Sequence, residues 1–213
     1  MKKSFITLLV ILVSTMAMAG TGNFKKEMKK NLNLMREYNE TTNYVILGDS
    51  FFKISKSNKN RWEPLYYAAY SNIIGSWSKN NSVEKEEMLS KAKKYIDEAN
   101  MKSPSNDELI VLEAFYYQAM IMLDPAKYGR TYSAKATELL HKAQSINKDN
   151  PRAQFLLAQN VFYTPMEYGG GKDKAQPLFL KASELFKKED TTNIMTPRWG
   201  EETNSEMLLK CSN

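Results

Sequence analysis

The sequence contains only one cysteine and one histidine among its 213 residues. A single cysteine cannot form an intramolecular disulfide, which excludes a disulfide-stabilised scaffold. A single histidine leaves most zinc sites and Ser/His/Asp catalytic arrangements incomplete. No Val/Ile/Thr-rich alternating stretch lies between hairpin turns, so strands are not expected. We therefore expect a protein that is not an enzyme and that needs no cofactor.

The chain also has no large excess of charge of either sign. The chain has 30 Lys and Arg against 24 Asp and Glu, a formal charge of +6. Its lysines alternate with acids, as in Lys25-Lys26-Glu27 and Lys187-Lys188-Glu189. Nucleic-acid binding would need clustered basic residues, so no nucleic-acid partner is expected and these runs indicate solvated helix faces.

The longest apolar run lies at the beginning of the sequence. Lys2 and Lys3 precede an apolar stretch over residues 5–13, and the small-residue pattern Ala17-Met18-Ala19 follows. This order is typical of a secretory signal peptide. The run is shorter than the about 20 residues that a membrane-spanning helix needs. We predict cleavage near Ala19, a domain over residues 20–213 without an integral membrane segment, and a periplasmic or secreted location.

The rest of the chain has an internal repeat. A small residue, a large apolar residue four positions later and a second small residue three positions after that recur, starting at Gly48, Ala92, Ala136 and Ala175. A second set of small residues recurs with a similar spacing: Ala69, Ala114 and Ala158. Residues at i, i+4 and i+7 share one helix face, where small side chains let a neighbouring helix approach. The repeat predicts an all-α stack of about four helical hairpins.

Proline and capping residues indicate where the helices are expected to begin. Pro64 and Pro151 suit a first helical turn, and Ser105 to Glu108 forms a capping-box pattern. The predicted helices cover residues 24–38, 42–57, 62–77, 83–101, 106–123, 132–146, 151–163, 172–187 and 200–210. The last of these is expected to cap the stack.

The spacing Ala175-x3-Phe179-x2-Ala182 at the start of a second hairpin helix resembles the tetratricopeptide repeat (TPR) family. The stretches Asn150-Pro151-Arg152-Ala153 and Pro197-Arg198-Trp199-Gly200 resemble short, signal-peptide-bearing TPR-like proteins of Gram-negative bacteria. The resemblance implies a right-handed superhelical stack that binds through its concave face. The units of 39 to 44 residues exceed the usual 34.

Aromatic residues are frequent on the first helices of the hairpins, where most are expected to fill the core. Phe115, Tyr116 and Tyr117 are consecutive and cannot all face one core, because a helix turns about 100° per residue. The surplus rings, together with amide side chains, would suit an extended peptide or a partner helix. The candidate binding residues are Asn72, Tyr117, Gln118, Asn160, Tyr163 and Lys172.

The string Gly169-Gly170-Gly171-Lys172 allows two interpretations. Its glycines could connect two helices through positive φ angles, or its N–H groups could hold an anion at a helix N-terminus. It is not a P-loop, because Asp173 rather than Ser or Thr follows the lysine. A connection is the favoured interpretation.

The remaining chemically notable residues are isolated. Glu138 and His141 form one Glu-x-x-His pair, whereas a di-iron bundle needs two. Cys211, near the end of the sequence, is expected to pack against the last hairpin. A tryptophan before a helix, as at Trp199, is expected to fill the end of a packed layer. No metal site is expected.

Three functions remain open at this point, one of which is an accessory subunit that is stable only inside a complex. The first is an exported, non-catalytic scaffold that binds a peptide, a partner protein or an envelope component through its concave face. The second is a small-molecule or anion-binding protein, or a hydrolase, that uses the loop from Gly169 to Lys172. The sequence does not indicate an oligomeric state.

Overall fold

The structure is a computed structural model that describes residues 23–37 and 41–212. The predicted signal peptide, residues 1–19, lies outside this part of the chain. Within it there are nine α-helices and no strands, which confirms the all-α prediction. No helix among the described residues is long and apolar enough to cross a bilayer.

The helices follow one another with short connections. Helix α1 covers residues 23–37, and the others are α2 (Thr41–Ser57), α3 (Glu63–Ser76), α4 (Ser82–Lys102), α5 (Asp107–Leu123), α6 (Pro125–Ile146), α7 (Pro151–Tyr163), α8 (Lys172–Lys187) and α9 (Glu201–Ser212). A 3₁₀ turn, Met166–Tyr168, lies between α7 and α8.

Most helices begin where the sequence predicts, because capping side chains near in sequence bind the free N–H groups of the first turn. Asn81, Asn106 and Asn150 each accept a hydrogen bond from a backbone N–H of the helix that follows. The capping box predicted from Ser105 to Glu108 was wrong, because the cap of α5 is Asn106. The prediction was wrong for α6, which begins at Pro125 instead of residue 132. The Asp124 side chain accepts from the Lys127 N–H at 3.0 Å, and a proline is well tolerated in the first helical turn.

The helices form two layers. Each helix from α2 onward packs against the next one in sequence, and α5 also packs against α3 and α7. Helices α3, α5 and α7 therefore form an inner layer, whereas α4, α6 and α8 lie outside it. This arrangement is that of stacked helical hairpins.

The small residues of the repeat lie where the helices meet. Both sets are buried: Gly48, Ser55, Ala69, Ala92, Ala99, Ala114, Ala136, Ala143, Ala158, Ala175 and Ala182. At Gly48 an added Cβ would lie 2.7 Å from the Asn72 amide nitrogen. The predicted role of these positions in close helix packing is confirmed.

The glycine string forms a tight connection between α7 and α8. Gly169 and Gly171 have φ angles of 88° and 107°, as the favoured interpretation of this loop expects. The Gly171 N–H donates to the Val161 carbonyl at 2.9 Å, and the Gly170 N–H donates to the Pro165 carbonyl at 3.1 Å. A Cβ at Gly170 would lie 2.0 Å from the Thr164 carbonyl oxygen.

We expect Gly170→Ala to lower the free energy of unfolding by about 1–3 kcal/mol, because the methyl group would overlap a backbone atom that is held by the turn. Gly129→Ala is the matched control, since Gly129 lies inside α6 with nothing within 4 Å of an added Cβ. That change should stabilise the protein by about 0.5–1 kcal/mol. Urea unfolding followed by circular dichroism measures both, and equal midpoints for the two variants would contradict this account.

A candidate ligand cavity beneath the crossing segment

Residues 188–200 connect α8 to α9 and lie across the inner layer; we call them the crossing segment. Glu189, at its start, pairs with Arg152 of α7. Further along, the Met195 carbonyl accepts a hydrogen bond from the Tyr67 hydroxyl of α3 at 3.0 Å. Near its end, the Trp199 indole N–H donates to the Tyr66 hydroxyl at 2.8 Å. The segment thus spans from α7 to α3.

A buried ion-pair network holds the start of the crossing segment. The Arg152 side chain, only 2% exposed, donates from Nε and Nη2 to the Glu108 carboxylate at 2.8–3.1 Å and also contacts Glu189. Asn150 donates to Glu108 at 2.7 Å. Burial opposes the charge of Arg152, but the two carboxylates outweigh it and raise the arginine pKa. Burial also raises the pKa of Glu108, and Arg152 opposes that rise.

Stacked aromatic rings hold the other end of the segment. Trp199 packs against both Tyr70 of α3 and Phe115 of α5, with ring centroids 5.3 and 5.1 Å away and ring planes inclined by 27° and 25°. The prediction that this tryptophan packs at a helix junction fits these contacts. Gly200 follows with φ of 101°, and an added Cβ there would lie 3.1 Å from the Phe155 ring. A glycine thus lets the chain turn into α9 close to the core.

Between the crossing segment and the first three helices lies a cavity of about 470 Å³. Residues 196–203 form one wall, and α1, α2 and α3 form the others. Its apolar and aromatic lining comprises Leu32, Met35, Tyr44, Tyr67, Tyr70 and Trp199. The charged groups that line it are Arg36 of α1, Arg198 of the crossing segment, and Glu201 and Glu202 of α9.

The three tyrosines of the cavity differ in the hydrogen bonding of their hydroxyl groups. Tyr67 is bound to the Met195 carbonyl, whereas no hydrogen bond joins the Tyr44 or Tyr70 hydroxyl to another described residue. The Tyr44 ring meets the Tyr70 ring edge to face at 6.2 Å. Burial raises the pKa of all three phenols, so they stay protonated at neutral pH. The cavity therefore offers flat aromatic surface and neutral hydroxyl groups.

The three amide residues predicted to bind a ligand make hydrogen bonds within the helical stack. Asn72 is buried and donates to the Ala68 carbonyl of its own helix, against Gly48 of α2. Gln118 donates to the Leu156 carbonyl of α7 at 2.9 Å. Asn160 exchanges hydrogen bonds with Ser133 and Thr137 of α6. These contacts occupy the amide groups in helix packing.

The other three predicted binding residues lie apart from the cavity. Tyr117 packs among Tyr116 and Tyr132, with its ring centroid 5.0 Å from that of Tyr132. Tyr163 is 67% exposed at the end of α7, and Lys172 is exposed at the start of α8. The structure does not bring the six predicted residues together into one site, and their role in binding stays a prediction.

The anion-binding alternative gains no support from the loop geometry. Lys172 and Asp173 are exposed, and no hydrogen bond to the loop converges from an arginine or a side-chain amide among the described residues. His141 is exposed on α6, and its neighbour Glu138 pairs with Lys135 at 3.1 Å. Cys211 is buried on α9, in line with its predicted packing. The part of the chain that is described holds no cluster of three or more metal-ligating side chains.

Sequence comparisons find no match, either to a protein-family profile or to a curated protein. Among solved structures, the chain is similar to the HusA haemophore from Porphyromonas gingivalis. The two share 28% sequence identity with a TM-score of 0.79, over 88% of this chain and 92% of that one. The similarity supports the all-helical fold, and the similar structure is that of a binding protein. Membership of the TPR family specifically stays a prediction.

We expect Arg152→Met to cost about 3–5 kcal/mol of unfolding free energy, because it leaves the buried Glu108 carboxylate without its counter-charge. Chemical unfolding measures the loss, and faster proteolysis within residues 188–200 should accompany it. Arg152→Met/Glu108→Gln should recover part of the stability, since the unpaired charge is then gone. Arg130→Met, at an exposed position of α6, should change stability by less than about 0.5 kcal/mol. Equal effects of the Arg152 and Arg130 changes would refute a supporting role for the network.

Proposed function

We propose that this protein is an exported, non-catalytic carrier that binds haem, or a closely related tetrapyrrole, in the cavity beneath the crossing segment. The observation that carries the proposal is the cavity itself: aromatic and aliphatic side chains beside two arginines and two glutamates, in a chain similar over 88% of its length to a haemophore. The predicted signal peptide is part of the proposal, because such a carrier meets its ligand outside the cytoplasm.

The walls suit a flat, apolar macrocycle. Tyr70 and Trp199 present stacked rings, and Leu32 and Met35 supply aliphatic and thioether surface from α1. A volume of about 470 Å³ lies within the roughly 300–1,000 Å³ typical of small-molecule sites. Burying one face of a ring system against such walls gives a favourable hydrophobic contribution at about 25 cal/mol per Å² of apolar area.

The position of the crossing segment argues against a peptide as the ligand of a concave-face scaffold. The crossing segment covers the inner layer where a concave-face peptide would lie, since it already contacts Tyr66, Tyr67 and Phe115. An extended peptide would have to displace these contacts, including the ion pair of Glu189 with Arg152. A compact ligand that fits the remaining cavity needs no such displacement, which favours a small molecule over a peptide.

The proposal predicts that the mature chain binds ferric haem, with a shift of the haem Soret band on titration. Thr196→Trp places a large ring in the cavity wall and should lower the affinity by about tenfold or more, which corresponds to about 1.4 kcal/mol. Thr131→Trp is the matched control, because Thr131 is exposed on α6 and does not line the cavity. It should bind haem as the parent does.

The proposal would be abandoned if the folded parent protein gave no spectral change with haem. It would also fail if the two tryptophan variants bound haem equally well, since the ligand would then lie elsewhere on the protein. Circular dichroism of each variant checks that helicity is preserved.

A second candidate function, contact with a partner protein, is favoured by one surface. Tyr163, Met166 and Tyr168 lie together around the α7–α8 connection and are 67%, 78% and 79% exposed. The Tyr163 hydroxyl also lies 3.9 Å from the Met207 sulfur of α9. Grouped exposed apolar side chains are a common feature of protein-binding surfaces. The predicted binding residues Tyr163 and Lys172 belong to this end of the stack.

This candidate predicts that an envelope protein retained by the immobilised parent chain is lost with Tyr163→Ser/Met166→Ser. Leu180→Ser is the control, because Leu180 is 53% exposed on α8 and lies outside that group. Retention of the same protein by all three chains would show that this surface is not the contact.

A further inference from the structure

Two guanidinium groups lie at the cavity from different parts of the fold. Arg36 belongs to the last turn of α1, and Arg198 belongs to the crossing segment. Both line the cavity and both side chains are exposed, so their charged ends meet solvent at its mouth. No salt bridge within 4.0 Å neutralises either arginine among the described residues. Neither charge is thus held in a close ion pair, and the acid that Arg198 is seen to influence is Asp190, whose pKa it helps to lower.

The electrostatics of Tyr67 indicate that both arginines act on the cavity interior. Burial raises the pKa of this phenol and Glu108 raises it further, whereas Arg152, Arg36 and Arg198 oppose the rise. Tyr67 itself lines the cavity and is only 3% exposed. The fields of Arg36 and Arg198 thus reach into the wall on which a bound ring would lie.

The acids at the mouth are differently placed. Glu201 and Glu202 are exposed in the first turn of α9, where the positive end of the helix dipole favours negative charge. Their carboxylates should weaken the attraction of an anion to the mouth without removing it.

Arg198 is held in position by its own segment. Its guanidinium donates to the Thr191 carbonyl and, at 3.5 Å, to the Asn193 carbonyl. A guanidinium has five N–H donors, so these contacts leave others free. Arg36 has no comparable tie among the described residues, and its flexible side chain can adjust to the ligand.

We propose that Arg36 and Arg198 form a clamp for two carboxylates, so that the cavity selects dicarboxylate tetrapyrroles over uncharged ones. This inference rests on the proposed haem-carrier function and specifies the ligand class of the same site. The aromatic walls hold the macrocycle, and the guanidiniums pair with the two acidic side arms at the mouth by charge-assisted hydrogen bonds. The pairing also fixes which edge of the ring faces solvent.

The test compares ferric haem with its dimethyl ester, in which both carboxylates are uncharged. Arg36→Gln and Arg198→Gln should each lower haem affinity by about threefold to tenfold and leave ester affinity unchanged. The double variant should lose most of the salt dependence of haem binding, because screening acts only on the charge pairing. Glu201→Gln/Glu202→Gln should raise haem affinity and leave ester affinity unchanged. Arg130→Gln, at an exposed position of α6, is the matched control.

Arg198→Gln could also loosen the crossing segment, so Arg198→Lys and thermal unfolding accompany it. If Arg198→Gln lowers the melting temperature, the clamp is judged from the haem and ester affinities of Arg36→Gln alone. Equal affinity of the parent for haem and for its ester would overturn the clamp but not the carrier function. Failure of the parent to bind either probe would overturn the carrier function and the clamp together.

Discussion

The Arg152 ion pair determines where the end of the chain lies. Helices α5 and α7 each contribute one charged side chain near their first turn, and Glu189 adds the third group directly after α8. A buried guanidinium with two carboxylates and an amide neighbour is stable only when all of them are present, because the desolvation cost of each charge is high. The network therefore fixes the direction in which the chain leaves α8. The path over α5 and α3 towards Trp199 follows from that direction.

The inner layer and the crossing segment depend on each other. The inner faces of α3 and α5 carry Tyr66, Tyr70 and Phe115, which would present large aromatic surface to water if nothing covered them. Trp199 covers part of that surface by stacking and satisfies the Tyr66 hydroxyl. What is left uncovered, towards α1 and α2, is the candidate cavity. Its size thus reflects how far the crossing segment extends.

Much of the fold could be predicted from the sequence because it is encoded locally. Alanine spacing such as Ala136 to Ala143 acts over two helical turns and was recognised, whereas the cap of α5 was assigned to Ser105 instead of Asn106. The start of α6 at Pro125, after the Asp124 cap, was not predicted. The candidate site could not be predicted, since its walls join residues 128 and 133 positions apart, as in Tyr67 with Met195 and Tyr66 with Trp199. The contacts of Asn160 with α6 could not be predicted either, because the sequence does not distinguish an amide in a groove from one between helices.

The position of the crossing segment near the end of the sequence has a consequence for the order of events in folding. Local contacts within hairpins form readily, whereas contacts of large sequence separation carry a loop-closure cost and form late. Since domains acquire structure from the N-terminus as the chain emerges, helices α1 to α7 can stack before residues 188–200 exist in the growing chain. Every earlier intermediate then has an open aromatic face, and its Arg152 is paired with Glu108 but lacks the contact with Glu189. The candidate cavity is consequently complete only once the crossing segment has docked, in the final step of folding.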